Sequence, residues 1–210
     1  MVKADKNSIR RDVTFDEAFI WIVLLTLIAV FSTKIDTFVY SGLAETILAV
    51  IAVSIYLATK GSARKFGLSF SLYTLKWLGI FVLTFGTFYG IILLIALLTT
   101  DSEVIEKGYL STNYVLSMVL FSPIAEEILF RGFLFRALRK HFHFIFALFV
   151  SALLFMGMHM VWGNIGMQNL NHFFGGIVFA LIYAKTRSIF AAMILHSLGN
   201  TALILLEIIF

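Results

Sequence analysis

The 210-residue sequence has no cysteine, a single proline and only 13% charged residues, about half the share usual in soluble domains. Without cysteine there is no disulfide framework, no thiol nucleophile and no thiolate metal site. So little charge, set against 60% hydrophobic and 16% aromatic content, excludes a water-soluble globular fold. His-Glu-x-x-His is absent, which removes a zincin-like centre. The aspartates (Asp5, Asp12, Asp16, Asp36 and Asp101) all fall outside the apolar stretches, so no aspartate pair is expected at membrane depth. Neither an internal repeat nor a low-complexity tract is present.

What the chain does have is a succession of apolar stretches, at about 18–33, 38–58, 74–99, 113–135, 144–162, 170–184 and 189–209. At ~20 residues per crossing, they predict an all-α membrane protein: a polytopic bundle of seven transmembrane helices, with six and eight as bounds. The connections are too short for a separate aqueous domain. The chain is read as one integral membrane domain in two parts. Residues 1–110 form an N-terminal cytoplasmic segment plus three transmembrane helices, and residues 111–210 form a four-helix core.

The net charge of +4 reads as topology. Lys3, Lys6, Arg10 and Arg11 precede the first stretch, and no small-x-small pattern follows Phe31, so that stretch is expected to be a retained anchor. Twelve of the 16 basic residues fall in connections on one side and two, Lys34 and Lys107, on the other. The positive-inside rule puts the N-terminus in the cytoplasm and the C-terminus outside. Basic residues scattered this way form no nucleic-acid face, and the expected partner surface is the lipid bilayer. The Gly- and Asn-rich segment from Trp162 to Asn171 is read as an external turn, with a re-entrant loop as the alternative.

A charged side chain at mid-bilayer costs roughly 2.5 to 3.5 kcal/mol even on the lenient insertion scale. Glu45, Glu126, Glu127 and Arg131 all lie inside the expected spans, so they must face protein or trapped water. Glu127 and Arg131 are four apart and can pair on one helix face. Glu126 is rotated about 100° from Glu127 and has no local partner, which suits a general base. The alternative for the trio is a salt-bridged packing node. Pro123, three residues before Glu126, should bend the helix and free a carbonyl. Glu45 either lines the cavity or serves a packing contact, the second being preferred.

Two further polar faces occur at helical spacing: Phe155 with His159, and His196 with Asn200. His172 has no partner at that spacing and is expected to be structural. Counting ~1.5 Å per residue from residues 136 and 144, Glu126 lies about 15 Å and His159 about 22 Å from the cytoplasmic ends. They come level only if a helix starts earlier or tilts.

A carboxylate and a neutral imidazole can hold and deprotonate a water, while a second imidazole and a carboxamide can donate to a developing oxyanion. Those functions match a hydrolase attacking an amide. A serine route is weaker, because Ser197 neighbours His196 and faces away from it, leaving Ser122 and Ser151 as formal nucleophiles. Glu126, His159 and His196 would equally supply a carboxylate and two imidazoles to zinc. Asn200 is a poor zinc ligand, so metal-free glutamate chemistry is preferred and zinc is the alternative.

The runs Glu126-Glu127-Ile-Leu-Phe-Arg131, Phe155-Met-Gly-Met-His159 and His196-Ser-Leu-Gly-Asn200 resemble the EExxxR, FxxxH and HxxxN motifs of the CAAX protease and bacteriocin-processing family, also called the Abi family, which includes the type II CAAX prenyl endopeptidases. The resemblance covers residues 113–205. It implies an intramembrane endopeptidase with a cavity towards the cytoplasmic leaflet, acting on a membrane-associated peptide or protein. It assigns Glu126 and His159 to water activation, His196 and Asn200 to the oxyanion, Glu127 and Arg131 to support, and Phe155 to packing. A short chain of this composition resembles bacterial members, for which processing of peptide precursors or bacteriocins, or self-immunity, is expected in the plasma membrane. The alternatives are a non-catalytic immunity or scaffold protein of the same fold and, further off, a small proton-coupled transporter. No paired inverted halves support the transporter.

Overall fold

A computed structural model describes residues 13–32, 38–99, 111–162, 166 and 168–209. The four basic residues at the N-terminus, Lys34, the loop holding Lys107 and most of the Gly- and Asn-rich turn lie outside the described residues, and so do the expectations placed on them.

Among the described residues the chain forms eight helices and no strand. They are α1 (Phe15–Ser32), α2 (Phe38–Lys60), the single-turn α3 (Ala63–Phe66), α4 (Leu72–Thr99), α5 (112–141), α6 (Phe144–Trp162), α7 (Gln168–Thr186) and α8 (Ile189–Ile209). The seven long ones coincide with the seven apolar stretches. The chain is an all-α membrane protein, and the segments Gly42–Lys60, Leu72–Ile91 and Ile189–Leu206 are long and apolar enough to cross a bilayer. Phe19, Leu83 and Leu98 are exposed on α1 and α4, as suits surfaces that face lipid.

Local chemistry fixes the helix ends. At α1, Thr14 Oγ1 accepts from the Glu17 amide at 3.2 Å and Glu17 Oε2 accepts from the Thr14 amide at 2.9 Å, a reciprocal capping box. The same Glu17 carboxylate pairs with Lys60 at the end of α2. Ser62 caps α3, and Gly67 ends it at φ 100°, a left-handed conformation that a side chain would strain. Phe66 is thereby buried against Tyr56 and Phe133, at ring-centroid distances of 4.7 and 5.1 Å. The Gly67 carbonyl accepts from the Ile189 amide at 2.9 Å, which anchors the start of α8 two turns before His196.

Helix α5 is the centre of the bundle. It carries π-helical turns at Ser117–Phe121 and Ile128–Phe135, on either side of the α-helical Ser122–Glu127. In the first of these turns the Ser122 amide reaches back five residues to the Ser117 carbonyl. The next bond in that register would run from residue 123 to the Met118 carbonyl, but residue 123 is proline and has no N–H. Residues 125–135 are buried without interruption, because α1, α2, α6, α7 and α8 all pack around this segment.

Candidate active site

The structure brings the three motif faces together. Glu126 and Glu127 sit at the end of the α-helical turn of α5, where consecutive carboxylates diverge as the helix period requires. Glu127 is fully buried, and its Oε1 accepts from Arg131 Nη1 at 2.9 Å. The pairing expected from their spacing is therefore present, and it reaches further than the helix. Arg131 Nη2 donates to the Gly176 carbonyl of α7 at 3.0 Å, and the guanidinium lies 4.8 Å from the Phe155 ring centroid and 5.5 Å from that of Phe179. The same Glu127 Oε1 also accepts from His196 Nδ1 of α8 at 2.9 Å.

Glu126 points the other way. It is buried, and its Oε2 has no hydrogen-bond partner among the described residues. That oxygen lies 3.7 Å from His159 Nε2 and 4.0 Å from His196 Nε2. Both separations exceed direct hydrogen bonding and suit groups bridged by one water.

The depth mismatch between Glu126 and His159 disappears because α5 runs to His141, six residues past the expected end. Both residues then stand fifteen positions from the helix end on their side, about 22 Å at ~1.5 Å per residue.

Acceptor chemistry fixes one tautomer directly. His159 Nδ1 lies 2.8 Å from the Phe155 carbonyl, which can only accept, so Nδ1 carries the hydrogen. In the neutral ring Nε2 is then bare and faces Glu126. At His196 the carboxylate of Glu127 likewise makes Nδ1 the donor. Asn200 Nδ2 donates to the Met118 carbonyl at 2.8 Å, the one that Pro123 leaves without a backbone partner. The expected freed carbonyl thus holds the carboxamide, and the second Nδ2 hydrogen remains available.

A cavity of about 50 Å³ adjoins His196 and Asn200, with room for ordered water. Its walls include Tyr89 of α4, Phe155, Phe179, His196 and Asn200. His172 lines it too. Its ring stacks on His159 at 3.9 Å between centroids and 19° between planes. The partner sits on a neighbouring helix, so no spacing along α7 announces it. Glu45 is buried on α2. Ser151 is buried on α6 two turns before His159, about 12 Å away along the helix, too far for a nucleophile and base pair.

The fit to zinc is poor. Ligands on a tetrahedral zinc at ~2.1 Å stand about 3.4 Å apart, less than the 3.7 and 4.0 Å found here. Among the described residues no three His, Asp or Glu side chains are placed to hold one metal ion.

Residues 109–202 match the family model of type II CAAX prenyl endopeptidase Rce1-like proteins. A relative from Bacillus subtilis (strain 168), described as "Putative membrane peptidase YdiL", is 30% identical over 93 residues. That alignment covers 42% of this chain and 35% of the relative's length. No solved structure matches. Residues 109–202, which carry the three motifs, are thus similar to the type II CAAX prenyl endopeptidase Rce1-like family.

Proposed function

We propose that this protein is an intramembrane endopeptidase that hydrolyses a peptide bond of a membrane-associated peptide or protein with water activated by Glu126 and His159, without a resident metal. The supporting observation is the buried Glu126 Oε2 held 3.7 Å from the bare His159 Nε2, an acceptor pair that can take a proton from a shared water.

In this reading the water oxygen attacks the carbonyl carbon as its proton passes to Glu126 or His159. The tetrahedral oxyanion receives the spare Nδ2 hydrogen of Asn200. It also receives an Nε2–H from His196 when that ring is an imidazolium, a state for which Glu127 at Nδ1 is the counter-charge. The proton then moves to the amine nitrogen, the C–N bond breaks, and a carboxylate and an amine leave.

The apolar helices and the likeness to a bacterial protein described as a membrane peptidase support a multi-pass plasma-membrane location, and the charge pattern supports a cytoplasmic N-terminus. Processing of peptide precursors or bacteriocins is the substrate class this reading favours.

Comparing the peptides of a host producing the wild-type chain with those of a host producing Glu126→Gln tests the reading. Cleavage products present with the first and absent with the second, at equal membrane levels of protein, are expected. A phenotype that survives in Glu126→Gln and His159→Ala, with no product lost, would instead establish a non-catalytic immunity or scaffold role.

A further inference from the structure

Helix α4 lies outside the residues matched by the family model, yet it supplies a wall of the cavity. Leu78, Val82, Phe85 and Tyr89 recur at i, i+4, i+7 and i+11, one stripe of the helix. Leu78 is buried and the other three are half-buried, while Leu83, Phe88 and Ile91 on other faces are exposed. The stripe is the side on which α4 meets α7 and α8, and its last member, Tyr89, lines the cavity together with His196 and Asn200.

Two glycines, Gly175 of α7 and Gly199 of α8, line the same space. A Cβ at Gly199 would meet the Phe179 ring at 4.0 Å, and one at Gly175 would meet that ring at 3.4 Å. These are ordinary contact distances, so alanine fits at either position and takes up cavity volume. The Phe179 ring is itself stacked on His196 at 4.4 Å and 19°, which fixes that wall. A cavity of about 150 Å³ takes a benzene ring. At about 50 Å³, this one has room for roughly two carbon-sized groups.

In the hydrolase reading above, on which this inference rests, His196 and Asn200 hold the oxyanion formed from the attacked carbonyl. Both residues also line the cavity. The β-carbon of the residue that carries this carbonyl is two bonds from the attacked carbon, and the β-carbon across the scissile bond is three bonds away. The side chain closest to the cavity is therefore the one on the carbonyl side. We infer that the cavity is the subsite for that side chain and accepts only glycine, alanine or serine there. Tyr89 and Gly199 are its specificity-determining residues: the tyrosine ring limits the space, and the missing side chain at residue 199 keeps it open. A leucine or phenylalanine side chain would have to displace Tyr89.

Four peptide aldehydes that differ only in a final glycine, alanine, leucine or phenylalanine test the subsite by binding alone. In water the aldehyde group adds H2O to give a gem-diol, which copies the tetrahedral adduct and offers no bond to break. Titration calorimetry of the detergent-solubilised full chain should show the alanine form bound about tenfold or more tighter than the leucine and phenylalanine forms, the scale of discrimination set by methylenes in a closed pocket. Tyr89→Ala should bring the two large forms up to the alanine one. Gly199→Ala should weaken the alanine form several-fold and leave the glycine form nearly unchanged, and it keeps the test decisive if Tyr89→Ala does not fold. Equal binding of all four by the wild type, binding of none, or a selectivity that Gly199→Ala leaves unchanged overturns the inference. Peptides released in a producing host give the second arm. Cleavage by the wild type after large residues as often as after small ones overturns the subsite and leaves the hydrolase reading standing. Alanine-selective binding that Tyr89→Ala relaxes, in a wild-type chain that cleaves no peptide, supports the subsite and refutes the hydrolase reading.

Discussion

One carboxylate oxygen, Glu127 Oε1, accepts from both Arg131 Nη1 and His196 Nδ1 at 2.9 Å, and so fastens α8 to α5 at the level of the candidate site. Glu127→Gln removes the charge opposite a fully buried guanidinium. Breaking a buried pair in this way costs about 3–5 kcal/mol. Denaturant unfolding of the detergent-solubilised variant should show that loss, and a variant as stable as wild type would mean that Arg131 finds its counter-charge elsewhere.

Asn200 is tethered through one Nδ2 hydrogen to the Met118 carbonyl, which aims the other. Asn200→Ala should lower kcat by about 10² to 10³, the range for removing one oxyanion donor. Pro123→Ala should act in the same direction more weakly, because a new N–H at residue 123 competes for that carbonyl. It should leave thermal stability equal or higher. Steady-state cleavage rates and melting curves of the two variants check both statements.

Removal of metal should not matter. Incubation with a strong chelator is expected to leave the cleavage rate unchanged. Loss of activity that zinc restores would make Glu126, His159 and His196 ligands instead of a water-holding set.

A pH effect on stability is expected at the end of the bundle where α1 begins. Burial raises the Glu17 carboxyl, but hydrogen bonds from Lys60 and Thr14 outweigh it and hold the group below its ordinary value of 4.5. A carboxyl lowered in the folded state stabilises it above the unfolded value, and that contribution fades as pH falls through the folded one. Melting temperatures of wild type and Lys60→Met should therefore differ at neutral pH and converge in acid. A difference that stays constant with pH would remove the pair from the account.

Much of the architecture was readable in one dimension. Hydropathy located all seven long helices because lipid demands apolar side chains over a full crossing. Its weakest boundary was the end of α5, where Arg136, Arg139 and Lys140 look like a loop but continue the helix. Hydropathy marks where a helix meets water or headgroups, not where its hydrogen bonds stop. Helical spacing likewise announced the Glu127 and Arg131 pair and set Glu126 apart from it.

The chain's own order of residues thus determined the membrane class, the helices and the polar groups each one carries, because burial in lipid and a 3.6-residue period act along a single helix. Only the assembled bundle decided which groups meet. The stack of His172 on His159, the Gly176 carbonyl under Arg131 and the bond from His196 to Glu127 are contacts between helices. Their existence depends on interhelical distance and rotation, which no repeat along the chain encodes.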